Sequence, residues 1–169
     1  GLNSWAQDTW EWNGESWFDR TPVGPSPPKR KQHAMAYHEA RGVTILFGGI
    51  VAGIETPDLW EWDGATWTEH RPPGELPRVT REHVMTYDPS RDVTLLYGGK
   101  PEDSAPPSGE TWELHSERST HPGHRFAVSW PDALADEARI DGSKLVLLGD
   151  SITEAWRGTQ MDVRQKQYD

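Results

Sequence analysis

The sequence predicts a mainly β fold of antiparallel four-stranded sheets, with a short C-terminal strand and helix of α/β type. Three observations carry this. A unit of 50 residues recurs, with Trp10 answered by Trp60 and His33 by His83. Within each unit, turn-forming dipeptides separate short aromatic or β-branched segments. Past about residue 114 the alternation stops, and a continuous apolar run appears at Leu145, Val146, Leu147 and Leu148. Of the 169 residues 34% are hydrophobic and the mean hydropathy is −0.82, yet ten Trp, four Tyr and three Phe supply the large apolar surfaces that disordered chains lack. The length suits one domain, or parts of two.

In chain order, "DTWEWNGESW" at 8–17 lies over "DLWEWDGATW" at 58–67, and "HAMAYHEARGVTILFGG" at 33–49 over "HVMTYDPSRDVTLLYGG" at 83–99. A third copy opens with "ETWEL" at 110–114. Asn13-Gly14 and Asp63-Gly64 stand between aromatic segments and predict hairpins closed by type I′ turns, because both residues tolerate positive φ. Pro89 presets a turn between strands near 83–88 and 93–98. Period-two spacing puts His83, Met85 and Tyr87 on one face, and Trp60 with Trp62 on one face of their own strand. The run "VTLLY" is apolar on both faces, as in a strand sandwiched between sheets.

A twisted sheet with two apolar faces cannot bury both by itself, and stacking such units around an axis solves this, which is a β-propeller. The double glycines Gly48-Gly49 and Gly98-Gly99, the Trp pairs that follow, and the R-x-x-H of Arg30 to His33, shortened at Arg81 to His83, resemble kelch repeats over about residues 8–114. That resemblance implies half a blade, one full blade and most of another within 1–114, too few to close a ring. A segment of a longer chain, or an assembly of chains, is the expectation. It also implies a protein or carbohydrate ligand bound through the loops between strands. Trp10, Trp12, Trp17, Trp60, Trp62 and Trp67 recur in register, so they are expected in the core and not on a sugar platform. His33 and His83 also recur in register and are expected to pack or to bond loops.

Residues 115–139 read as a connector, in which "RFAVSW" at 125–130 is a possible strand and "DALADEAR" at 132–139 a short helix. Residues 140–169 change character again. The run at 145–148, bounded by Gly142 and Gly149, is typical of a central strand in a covered parallel sheet, and "DSITEAWR" has helical spacing. A serine at that junction stands beside the helix N-terminal amides, which can hold a developing oxyanion. The words "LVLLGDSITEAWRGT" resemble the first block of the SGNH hydrolases, the GDSL esterases and lipases. The resemblance makes Ser151 the nucleophile and an oxyanion N–H donor, with Gly149 and Asp150 forming the turn. Two plainer readings stand beside it: Ser151 to Glu154 spells a capping box, and "LLGD" can be a worn form of "LLYGG", a blade strand.

A serine needs a base, usually His oriented by an acid. In the SGNH family these arrive later in the chain, in an asparagine block and a final D-x-x-H. Here 18 residues follow Ser151, none of them His, and the asparagines Asn3 and Asn13 both lie in the first repeat. The chain is therefore expected to be inactive alone, with an ester substrate only in a longer parent, and non-enzymatic interaction as the alternative.

Charge narrows the partners. Lys and Arg total 17 against 27 Asp and Glu, a net −10, which repels nucleic acid and anionic lipid. The run Lys29-Arg30-Lys31 is expected to be a solvated cluster in a Pro-rich loop. Without Cys there is no disulfide or thiolate site, and the irregular spacing of His115, His121 and His124 matches no zinc pattern, so neither metal nor cofactor is expected. No apolar run reaches membrane-span length, and "GLNSWAQ" has no leader character. The compartment is left open.

Overall fold

The computed structural model of the chain describes residues 6–72, 75–78, 81–101, 106–116, 125–128 and 145–148. In these the fold is mainly β, in several sheets of which none is closed. The strands are β1 (Thr9–Trp12), β2 (Trp17–Asp19), β3 (Arg30–Lys31), β4 (Ala34–His38), β5 (Val43–Phe47), β6 (Ile50–Val51), β7 (Ile54–Glu55), β8 (Leu59–Trp62), β9 (Trp67–His70), β10 (Arg81–Asp88), β11 (Val93–Lys100), β12 (Thr111–Ser116), β13 (Arg125–Val128) and β14 (Leu145–Leu148). They form a first sheet β14-β1-β2, a second β4-β5-β8-β9, a third β10-β11-β12-β13, and a small sheet β3-β6-β7. The helices expected at 132–139 and after residue 150 fall outside the described residues.

The hairpins stand where the turn residues put them, with one correction. Trp12 pairs with Trp17 and Trp62 with Trp67, so each connection has four residues and is not a two-residue type I′ turn. Positive φ falls on Gly14 (+100°) and Gly64 (+97°) but not on Asn13 or Asp63. Those two act through their side chains instead: Asn13 Oδ1 accepts from the N–H groups of Glu15 and Ser16, and Asp63 Oδ1 from those of Ala65 and Thr66. Two adjacent positive φ values occur at Ala52 and Gly53, between paired Val51 and Ile54. At the β10–β11 turn Pro89 follows Asp88, whose carbonyl accepts from Arg91 N–H at 3.4 Å.

The double glycines have a steric cause. A Cβ on Gly49 would stand 2.7 Å from the Lys31 carbonyl oxygen, and one on Gly99 2.7 Å from that of Arg81. Both glycines also have positive φ. Arg30, expected in a solvated cluster, is 1% exposed. Its guanidinium grips Asp58 with two bonds and donates to the Gly48 carbonyl at 2.8 Å, which neutralises the buried charge.

Alternation on β10 is as expected, with Arg81 and His83 buried and Glu82 and Val84 exposed. The second sheet buries both of its faces. On one side Leu46, Trp60, Trp62 and Trp67 cluster and reach the first sheet, where Trp62 Nε1 donates to Glu11 Oε1 and Trp67 Nε1 to Thr9 Oγ1, each at 2.9 Å. On the other, Val43, Ile45, Phe47 and Leu59 pack against Leu96, Trp112 and Leu114 of the third sheet. Each well-buried Leu or Phe here contributes about 1.5–3 kcal/mol. Of the six tryptophans expected in the core, Trp60, Trp62 and Trp67 are buried and Trp10, Trp12 and Trp17 are half-buried; Trp112 is buried as well.

The run at 145–148 is a strand, but not in a parallel sheet. It pairs antiparallel with β1, Thr9 opposite Leu148 and Trp12 opposite Leu145. The second sheet pairs Leu59 with Phe47 and Trp62 with Thr44. Shifted by the repeat, β14 therefore occupies in the first sheet the place β5 holds in the second. The segment 125–128 is also a strand, joined to β12 in parallel register.

Candidate functional site

The edge strands β4 and β10 of the second and third sheets lie side by side, with their following turns on one rim. Between them is a cleft of about 460 Å³ lined by Ala36, Tyr37, Glu39, Met85, Thr86, Tyr87 and Pro89. Tyr37 and Tyr87 are equivalent residues one repeat apart, so the same position of two successive units supplies both phenol groups. Period two puts Tyr87 on the side of β10 that carries Met85, away from the exposed Val84, and Tyr37 on the side of β4 that carries Met35.

Two loops hold the rim. One is the short 3-10 turn Glu39–Arg41, ended by Gly42 at φ +66°, whose N–H donates to the Glu39 carbonyl at 3.2 Å. The other, after Asp88, places Asp92 at φ +54°. Each loop is tied down by an arginine to the third strand of its own sheet. Arg41 donates to both oxygens of Glu61, at 2.7 and 3.1 Å, and Arg91 Nη1 to Glu113 Oε1 at 2.6 Å. Burial raises the Glu61 carboxyl and the Arg41 bonds oppose it.

Behind the rim, the His38 and Tyr87 rings meet at 4.3 Å between centroids. Tyr87 Oη donates to Asp92 Oδ1 at 2.8 Å, and His38 Nε2 lies 3.7 Å from the same oxygen. Burial pushes His38 down to about 4, against the pull of Asp92, so the ring is neutral at pH 7. Burial and the Asp92 bond push Tyr87 up to about 12, and burial with the nearby Glu39 raises Tyr37. Both phenols are thus protonated at pH 7. The cleft offers two aromatic rings, hydroxyl groups and the Glu39 carboxylate, a set that suits polyhydroxy or cationic groups.

Ser151, Asp150 and Gly149 lie outside the described residues, and only the strand before them, β14, is placed. His33 and His83 sit beneath Gly49 and Gly99, away from the cleft, and burial pushes them down to about 3 and about 4, so both are neutral packing groups. Among the described residues no group of three or more His, Cys, Asp or Glu could hold a metal ion, and no helix is long and apolar enough to cross a membrane. Sequence reasoning missed Tyr37, Glu39 and Asp92. Its available signal was the recurrence of "AYHEARG" as "TYDPSRD", which marks the rim as a repeated loop with changed charges. Comparison with protein-family models and with curated proteins found no match.

Proposed function

We propose that this chain is a binding module of kelch-like propeller blades, taking a protein or carbohydrate ligand on the Tyr37–Tyr87 cleft. The observation that carries this reading is the cleft itself: equivalent tyrosines of β4 and β10 line it together with Glu39 and Pro89 from the two following loops, each loop braced by its own Arg–Glu pair. Binding sites are commonly set on loops held by a rigid scaffold. The parent, on the resemblance of 145–156, couples such a module to an SGNH-type ester or acyl hydrolase domain, with Ser151 as its nucleophile. This chain lacks the later His and Asn blocks and does not hydrolyse esters by itself.

A second reading has one specific observation in its favour. The antiparallel pairing of β14 on β1, at the place of β5, supports a worn blade strand at 145–148 and a wholly non-enzymatic interaction protein. Both readings make the same cleft the binding surface. Glycan and peptide arrays probed with the chain, and with Tyr37→Ala and Tyr87→Ala variants, test it. Binding that falls at least about tenfold in either variant is expected. Binding that is indifferent to both changes removes the cleft from the account.

A further inference from the structure

We infer that the outward faces of the first and third sheets pair with one another between two copies of this chain, head to tail. The ground is repetition of a contact the chain already makes once. Where the first and second sheets meet, Trp62 Nε1 donates to Glu11 and Trp67 Nε1 to Thr9. The donors belong to the later sheet and the acceptors to the earlier.

The donor pair recurs at Trp12 and Trp17. Their rings stand 5.4 Å apart at 46°, as those of Trp62 and Trp67 stand 5.4 Å apart at 40°. Strand alternation turns Trp12 to the side opposite Glu11, away from the second sheet. Among the described residues neither Trp12 nor Trp17 has a hydrogen-bond partner for its indole. The acceptor pair recurs on the third sheet. Leu114 pairs with Thr94 as Trp62 pairs with Thr44, so Glu113 holds the place of Glu11 and Thr111 that of Thr9. Since Trp112 and Leu114 face the second sheet, Thr111 and Glu113 face away from it.

Burial follows the same logic at the Tyr97 and Thr111 end of the acceptor face, while at its other end Glu113 keeps 16% of its side chain exposed and His115 is buried. Phe47 is 0% exposed under the third sheet, while Tyr97, its equivalent, is 54% exposed. Trp62 and Trp67 are 2% and 3% exposed, while Trp12 and Trp17 are only half-buried. Glu113 already receives Arg91 and His115. Glu11 similarly takes the indole on Oε1 while Arg20 approaches Oε2 at 3.4 Å, and a carboxylate has lone pairs for both. One chain thus carries one donor face and one acceptor face, at opposite ends of its stack, and a second copy brings the complement of each. The contact is heterologous, and gives a ring if the rotation closes or a growing row if it does not.

Sedimentation velocity from about 1 to about 100 µM reads this directly. The chain is expected to form dimers or larger rows across that range. Trp12→Ala spoils the donor face, and Tyr97→Glu the acceptor face; each alone is expected to associate at least about thirtyfold more weakly. An equimolar mixture is expected to recover pairs, because each variant retains the face the other has lost. Tyr97 is exposed, so Tyr97→Glu keeps the test decisive if Trp12→Ala does not fold. A chain that is monomeric at about 100 µM overturns the inference. So does association unchanged by Tyr97→Glu, or a mixture of two folded variants that stays monomeric.

Discussion

Replacing Trp62 by Phe probes how the sheets are held face to face. Trp62 is 2% exposed, stacks on Trp67 and donates to the Glu11 carboxylate, whose side chain is 4% exposed. Phe keeps an aromatic ring but removes the N–H and leaves part of the indole volume empty. A lost bond to a buried charged acceptor costs about 1.5–3 kcal/mol, and the unfilled ring volume adds about 1 kcal/mol or more. The expected loss is about 3 kcal/mol in urea unfolding followed by far-ultraviolet circular dichroism. Glu11→Gln keeps an oxygen to accept the indole, so its cost is expected to stay near 1 kcal/mol. The double variant should then be less destabilised than the sum of the two by about 1–2 kcal/mol. A loss under about 1 kcal/mol for Trp62→Phe, or strict additivity, refutes the inter-sheet bond.

Other outcomes follow from the same geometry. Thr9→Val leaves the buried Trp67 indole N–H without its acceptor and is expected to cost about 1–3 kcal/mol by urea unfolding. Gly99→Ala forces a Cβ within 2.7 Å of the Arg81 carbonyl at a φ of +92°, and about 3 kcal/mol of stability should be lost. Gly14→Ala, with nothing within 4 Å, should cost only the strain of its positive φ, about 1 kcal/mol. His33, His38 and His83 have folded values of about 3, about 4 and about 4, below the ordinary 6.5. Their stabilisation is full above pH 6.5 and is lost as pH falls toward 4, since the unfolded chain takes up protons first. Urea unfolding at pH 5 should therefore show a clearly lower midpoint than at pH 7. A fluorophosphonate probe should leave Ser151 unlabelled, as read by intact mass; stoichiometric labelling contradicts the inert reading.

Much of the fold was legible because its signals are local. Asn13-Gly14, Asp63-Gly64 and Pro89 fix where the chain reverses, and each acts within a few residues. The offset of 50 between Trp10 and Trp60 exposes the repeated unit before any contact is known. Three features depend on distant partners and could not be read in that way. Arg30 looks like part of a basic run until Asp58 is brought to it. The stretch 145–148 has the apolar continuity of a parallel strand, and only its partner β1 reveals an antiparallel one. The cleft needs β4 beside β10, and neither Tyr37 nor Glu39 carries a motif of its own. Register within a repeat is a local matter, whereas the chemistry between repeats is decided by which faces meet.

Hydrogen exchange of the chain with and without a ligand found on the arrays tests the binding claim most directly. Protection concentrated in 36–39 and 85–89 is the predicted result, because those segments line the cleft. Protection that instead falls on the hairpin turns at 13–16 and 63–66, with the cleft unchanged, would contradict the account.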